Sequence, residues 1–585
     1  MKKPFLLLVF AILLFSCTEK TIQTQYPNII LILSDDQGWG DLSYHGNTNL
    51  STPNIDELAK TGVTFDRFYV CPVCSPTRAE LLTGRYHVRS GVYSTSAGGE
   101  RLDLDETTIA EVFKKAGYKT AAYGKWHNGM QAPYHPNSRG FDDFYGFCSG
   151  HWGNYYSPML EHNGEIVKGN GFIIDNLTQH GLDFITNNKA NPFFLYLPFN
   201  TPHSPMQAPE KFWNKYKNKN LQMFHRDTTR EDVLFTKAAL AMCENIDWNV
   251  GRIANKIKEL GLADNTIVLY LSDNGPNSFR WNDGMKGKKG STDEGGVRSP
   301  MIIKWKGTLP AGKEITTIAA GIDLLPTLTD LAGLDNQTDK ELDGVSLKPL
   351  LLKENPDWDE RIIFTHWRGK TSLRSQKFRL DDKNHLYNME TDPGQYSDVA
   401  AKFPGIYDEL ILEKVKWETE VVSELNQNAN RPFTIGHPSL TFTQIPARDG
   451  IAYGNIKRSN KFPNSTFYTN WVNTNDSITF NAEVLTSGVY QVELFYTCPE
   501  KDIGSTVQLQ FNQSVFEFKI TEAFDSPLKN DKDIYPRMEG YVKEFKRVNL
   551  GTVNLQKGNG LLTLKATNIP GSQVMDFRLL LFKKL

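Results

Sequence analysis

The chain predicts an α/β unit, a mostly parallel sheet sandwiched by helices, followed by a C-terminal β-sandwich. Three observations carry that expectation. Near-continuous apolar runs at residues 28–34, 192–197 and 266–272 suit strands buried on both faces. Helical periodicity at 55–61, 108–116 and 233–260 lies between them, and such alternation implies helices on both faces of one sheet. After Trp417 the pattern turns into short alternating segments, the mark of antiparallel strands.

In chain order, Met1-Lys2-Lys3 and the apolar run 5–15 read as a signal segment, too short to span a bilayer as a helix. Leu14-Phe15-Ser16-Cys17 resembles a bacterial lipobox, with Cys17 lipidated and residues 18–25 as a polar tether. The alternative is an ordinary signal peptide that contains a cysteine. Export to the cell envelope follows, lipid-anchored in the first case and periplasmic or secreted in the second. The expected division is 1–25 for signal and tether, 26–425 for the α/β unit and 440–585 for the sandwich. The polar, punctuated stretch 426–438 is the linker. In the sandwich, alternating segments at 477–482, 489–496, 507–511, 561–566 and 577–582 are strands, with turns at Ser487-Gly488 and Asn559-Gly560. Tyr490 and Tyr496 share one face by parity, read as the core, whereas Trp471 in its polar surroundings is expected to be exposed. The sandwich is expected to brace the first unit or to position it on a polymer, with bracing preferred.

Hydrophobic residues at 39% and charged residues at 23% are ordinary for a globular protein. A net charge of −2 supplies no basic field to attract nucleic acid. Aromatic residues at 12% suit sugar stacking as well as well-filled cores. Cys71 and Cys74 have CxxC spacing once only, which gives no zinc pattern, and a disulfide between them is the plain alternative.

Two of the apolar runs end alike: Ser34 precedes Asp35-Asp36, and Ser272 precedes Asp273-Asn274. Ligands bind beyond the carboxyl ends of strands in an open parallel sheet. Adjacent strands would gather hard oxygen donors there, which favour calcium or magnesium over zinc.

The segment Cys71-Pro72-Val73-Cys74-Ser75-Pro76-Thr77-Arg78, followed by Leu81-Leu82-Thr83-Gly84, resembles the signature of type I sulfatases, members of the alkaline phosphatase superfamily. Similar landmarks follow in family order: Gly124-Lys125-Trp126-His127, Arg139-Gly140-Phe141-Asp142, Pro202-His203-Ser204-Pro205, Ser272-Asp273-Asn274-Gly275, Lys289 with Glu294-Gly295-Gly296-Val297-Arg298, Ile322–Thr327, and Leu386–Pro393. The resemblance covers roughly residues 26–420. It implies an alkaline phosphatase-like fold and a Cys74 oxidised to formylglycine by a sulfatase-maturing enzyme, hence no disulfide. It implies calcium, or magnesium, held by Asp35, Asp36, residue 74, Asp273 and Asn274. The catalytic set it implies is Cys74, Arg78, Lys125, His127, His203 and Lys289. In that scheme Lys125, Lys289 and His203 neutralise the sulfate, His203 or Lys289 protonates the leaving group, His127 takes a proton from the hydrated aldehyde, and Arg78 holds the oxygen ligands. Lys286 and Lys288 crowd Lys289. Ser149 and His151 lie where the family supplies another sulfate-side group, and spacing does not choose between them. Loops 147–156 and 366–374 are candidate specificity loops, with Arg374 as a substrate-side cation.

The resemblance thus implies a sulfuric ester hydrolase acting on sulfated carbohydrate. A phosphodiester or phosphonate monoester hydrolase of the same superfamily is one alternative. An inactive, lipid-anchored glycan-binding protein is the other, and the intact motif set argues against it.

Overall fold

The computed structural model describes residues 26–335, 338–354, 356–425 and 430–585; the expected signal segment, Cys17 and linker residues 426–429 lie outside the described residues. The first unit is organised by a ten-stranded sheet. Its order is Lys313–Ile315, Val63–Phe65, Met301–Trp305, Thr266–Ser272, Asn28–Asp35, Phe193–Pro202, Lys119–Lys125, Asp143–Phe147, Met159–His162 and Glu165–Lys168. The five strands from Thr266–Ser272 to Asp143–Phe147 are parallel, and antiparallel partners flank them.

The apolar run of Asn28–Asp35 is buried along its whole length. Its side chains alternate between two cores, as strand geometry requires. Ile30 and Ile32 join Ile173, Leu177, Ala238 and Ile246 on one face, whereas Ile29, Leu31 and Leu33 join Leu81, Ile109, Leu324 and Leu328 on the other. The helices carrying those residues therefore cover both faces. Two of them begin where the sequence offers a cap. Thr108 and Glu111 form a reciprocal capping box on Ile109–Lys115, and Asp232 accepts from the Leu234 and Phe235 amides at the start of Val233–Glu259. A small four-stranded sheet, Ile363–Trp367 to Leu386–Asn388, packs against Pro404–Glu420. The sequence reading did not anticipate that sheet.

The C-terminal region is a sandwich. One sheet runs Phe433–Ile435, Ser477–Val484, Gly558–Asn568, Thr506–Phe511, Ser514–Lys519; the other runs Lys457–Arg458, Tyr468–Thr469, Asp576–Lys584, Gly488–Thr497, Lys546–Leu555. Tyr490 and Tyr496 both enter its core. So does Trp471, at 1% exposure, against expectation. Asn470, at φ 59°, and the exposed Val472 and Asn473 face outward around it, so the polarity of the neighbours says nothing about the ring between them.

The sandwich is bolted to the first unit by buried polar contacts. Arg448 pairs with Glu100 at 2.8 Å, and Gln131 donates to the Gln444 carbonyl at 2.9 Å and to Asp449 at 3.1 Å. An apolar seam of Ile166 with Phe495, Leu579 and Leu581 joins the sheet edge to the sandwich. No helix of the described residues is long and apolar enough to cross a membrane.

Candidate active site

Pairing of Asn28–Asp35 with Thr266–Ser272 sets Ser34 opposite Ser272. Asp35, Asp36, Asp273 and Asn274 consequently emerge together beyond the carboxyl ends of two adjacent strands, each at most 1% exposed. Asp36 takes φ 69°, a left-handed conformation that Asp tolerates better than most residues, and its amide donates to Asp273 Oδ1 at 3.2 Å. Cys74 opens the helix Cys74–Thr83, all of whose residues are buried, so the positive end of the helix dipole faces this acidic group. Asp35, Cys74 and Asp273 offer ligand atoms within 4.8 Å of one another. The described cysteines, Cys71 and Cys74 among them, are unpaired.

Cations ring the cluster. Lys125, at the end of Lys119–Lys125, reaches Asp35 Oδ2 at 2.7 Å, and Lys289 pairs with Asp36. Arg78 lies one helical turn after Cys74 on the same face. It pairs with Asp273 at 2.8 Å and donates to the Lys125 carbonyl. Burial alone would raise the Asp35 carboxyl, but Lys125, His203, Arg78 and Lys289 outweigh it and hold the group well below the usual range. At Asp273 burial and the neighbouring Asp35 win over Arg78, and the carboxyl is pushed far up. Three carboxylates are thus crowded together, each against one cation: Asp35 with Lys125, Asp36 with Lys289 and Asp273 with Arg78. Asp35 Oδ1 and Asn274 Oδ1 are buried without a hydrogen-bond partner among the described residues. Unsatisfied hard oxygens in an acidic cluster fit a calcium- or magnesium-sized ion.

The histidines differ in surroundings. His127 is fully buried, with φ 64°, and its Nε2 donates to the Thr95 carbonyl at 2.9 Å; burial and then Lys125 push its pKa well down. His203 donates from Nδ1 to the Ser204 carbonyl at 2.7 Å, which turns Nε2 toward Asp36 Oδ2, 3.7 Å away. His151 stacks on His203 with ring centroids 6.0 Å apart; burial, and then His203, lower its pKa to about 3. Asp36, Cys74, His127, His151, His203 and Lys289 all line one pocket of about 830 Å³. Ser149 is buried behind the wall, its hydroxyl directed to the Asn464 carbonyl at 3.5 Å.

Arg374 lies elsewhere. It is 2% exposed, donates to the Tyr69 hydroxyl at 2.9 Å and sits 3.9 Å from Glu294. The strand Lys370–Arg374 points it into a buried Glu294 network, so it is not a pocket cation. From the same loop Trp367 and Arg368 reach the pocket instead.

Sequence reasoning missed two groups. Arg280 pairs with Asp41 at 2.6 Å and donates to the Asp36 carbonyl, which fixes the loop bearing the acidic pair. Phe462, Asn464, Tyr535, Arg537 and Glu539 come from the sandwich and line the same pocket. For Tyr535, Arg537 and Glu539 the available signal was the long stretch 520–545 without an alternating pattern, since loops of that length in compact domains are commonly functional.

A family model described as Sulfatase matches residues 27–334, and one described as N-sulphoglucosamine sulphohydrolase, C-terminal, matches 288–404. N-acetylgalactosamine-6-sulfatase of Mus musculus is 34% identical over 385 residues, 60% of this chain and 70% of that one. Arylsulfatase A of Homo sapiens is 33% identical over 422 residues, 64% of this chain and 77% of that one. The solved structure of Ps i-CgsB in complex with k-i-k-neocarrahexaose superposes with a TM-score of 0.62 at 33% identity, covering 69% of this chain and 96% of that one. The sandwich lies beyond both family matches.

Proposed function

Because the chain belongs to the sulfatase family, we propose that it removes sulfate from a sulfated carbohydrate, with Cys74 matured to formylglycine and calcium, or magnesium, as its ion. The carrying observation is the convergence of Asp35, Asp36, Asp273 and Asn274 with Cys74 in one buried site ringed by Lys125, Lys289, His127 and His203. A relative named N-acetylgalactosamine-6-sulfatase and a structural neighbour in complex with k-i-k-neocarrahexaose support the carbohydrate reading.

Asp35, Asp36, residue 74, Asp273 and Asn274 would hold the ion, which supplies Lewis acidity to the site when bound. The matured side chain would supply a hydrated aldehyde with two hydroxyls. The other roles belong to this chain's own groups. Lys125 and Lys289 bring fixed positive charge to the sulfate oxygens in a site already organised for it. His203, its Nδ1 committed to the Ser204 carbonyl, keeps Nε2 available to pass a proton to the departing alkoxide. His127, with Nε2 committed to Thr95, keeps Nδ1 as the proton acceptor. Arg78 locks Asp273 to the end of the Lys119–Lys125 strand.

A maturing enzyme as partner, a lipid anchor on Cys17 and residence in the cell envelope complete the proposal. The test measures sulfate against phosphate release from aryl esters and defined glycans. Sulfate release that chelation abolishes and calcium restores is expected. The tryptic peptide containing residue 74 should carry the thiol-to-aldehyde mass change, and Cys74→Ala should fold without turnover. Preferential phosphate release, wild-type turnover in Cys74→Ala, or stoichiometric zinc in the active enzyme would refute the reading.

A further inference from the structure

Residues 520–545 join the sandwich strands Ser514–Lys519 and Lys546–Leu555. They leave the sandwich and lie against the loops that form the active-site mouth. The Ile534 amide donates to the Met206 carbonyl at 2.9 Å, and Gln207 donates to Asp533 at 2.8 Å. Arg537, with a side chain 1% exposed, pairs with Asp533 and donates to the Gly153 carbonyl at 2.6 Å. Tyr535 donates to Asp232 at 2.7 Å and packs on Phe235. Asn460 holds the Met538 carbonyl at 3.0 Å. These contacts tie both flanks of the segment and give Glu539 a defined position.

Glu539 lines the pocket beside His151 and His203. One carboxylate oxygen accepts from the Ser204 hydroxyl at 2.5 Å, next in the chain to His203. No lysine or arginine lies within ion-pair distance of Glu539 among the described residues. Elsewhere on the wall Arg230 and Lys288 flank the Phe279 ring at 3.8 and 5.2 Å, also without a carboxylate partner among the described residues. Besides Asp36, which Lys289 pairs, the pocket therefore carries near His203 a carboxylate with no lysine or arginine partner among the described residues, and cations without a carboxylate partner on another part of its lining.

A carboxylate can only accept hydrogen bonds, and it repels a second anion. Resting on the sulfatase reading, we propose that Glu539 is a specificity-determining residue that the sandwich delivers to the active site. It recognises a hydroxyl or ammonium donor on the sugar unit bearing the scissile sulfate. It rejects units that present another sulfate or a carboxylate at that position. The Arg230–Phe279–Lys288 group suits anionic substituents of the adjoining units instead.

The experiment compares kcat/KM of wild type, Glu539→Gln and Glu539→Ala on 4-nitrophenyl sulfate, on defined oligosaccharides with a single sulfate, and on the same backbones with a second anionic group beside it. Glu539→Gln keeps the shape and the acceptor for Ser204, and its melting temperature reports folding. The expected result is a loss on monosulfated glycans about 10- to 100-fold greater than any loss on the aryl ester, the range of a charge-assisted hydrogen bond. The doubly charged glycans should become relatively better substrates. Equal loss on aryl and sugar esters would place Glu539 in support of His203 or of the fold, and an unchanged ratio would leave it no role in selection; either result overturns the proposal. Wild-type sulfate release from the aryl ester stands apart from these ratios and secures the parent reading. A wild type that releases none overturns both.

Discussion

Gly150 is where a single methyl group should separate folding from catalysis. Its φ lies outside the left-handed region, so the constraint is space alone. A Cβ built there would stand 2.5 Å from His127 Nε2 and 2.7 Å from Asn464 Nδ2, where ordinary contact begins at 3.4 Å. Both must retreat, by 3.4 − 2.5 = 0.9 Å on the His127 side and 3.4 − 2.7 = 0.7 Å on the Asn464 side. Neither has room to do so. His127 is fully buried and its Nε2 holds the Thr95 carbonyl; Asn464 is fixed by Arg448 at 3.1 Å. Overpacking of this kind costs about 1–3 kcal/mol of stability. A displacement of about 1 Å in a positioned catalytic group costs on the order of 10²-fold in rate. Gly150→Ala should therefore remain folded, with a lowered melting midpoint, and lose about 10²-fold in kcat on 4-nitrophenyl sulfate. Its residue-74 peptide should mature normally. Gly405→Ala, where a Cβ meets nothing within 4 Å, is the control and should lose neither. Wild-type kcat in Gly150→Ala would mean that His127 is not held where catalysis needs it, and the role assigned to that ring would fall.

His203→Ala should lose about 10²- to 10⁴-fold on sugar esters and much less on activated aryl sulfates, because an aryl oxide departs without a proton; equal losses would leave His203 as a charge-binding group only. Arg448→Met should cost about 3–5 kcal/mol in chemical unfolding, since it strands the buried Glu100 and Asp449, and it should also weaken activity through Asn464. A change below about 1 kcal/mol would show that the pair does not join the two regions. A chain ending near residue 435 should aggregate or melt early, because the seam around Ile166 is uncovered; a soluble truncation with an unchanged midpoint would contradict bracing.

The part of this site that was legible in the sequence is the part that local geometry dictates. Cys74 and Arg78 stand four residues apart on one helix, so any helix there aligns them, and Arg78 can reach Asp273 only if the second acidic pair lies next to the first. That adjacency followed from two apolar runs with the same polar ending, once both belonged to a parallel sheet. Short strands such as Val63–Phe65 and Lys313–Ile315 carry too few residues to show a period, which is why that margin of the sheet went unread. Arg374 and Trp471 were misplaced for a related reason: their neighbours in sequence are not their neighbours in space, and tertiary packing chose the face. Glu539 shows the same limit from the other side. Nothing within residues 536–542 distinguishes it from a surface carboxylate. Its position depends on Arg537 reaching Gly153, Asp533 reaching Gln207 and Glu539 reaching Ser204, contacts between segments more than 300 residues apart in the chain. The acidic cluster and Cys74 are therefore set by the first unit's own sheet and helix. The pocket lining around Glu539 is assembled across the junction, where the chain can change it without disturbing the strands that carry the acidic cluster.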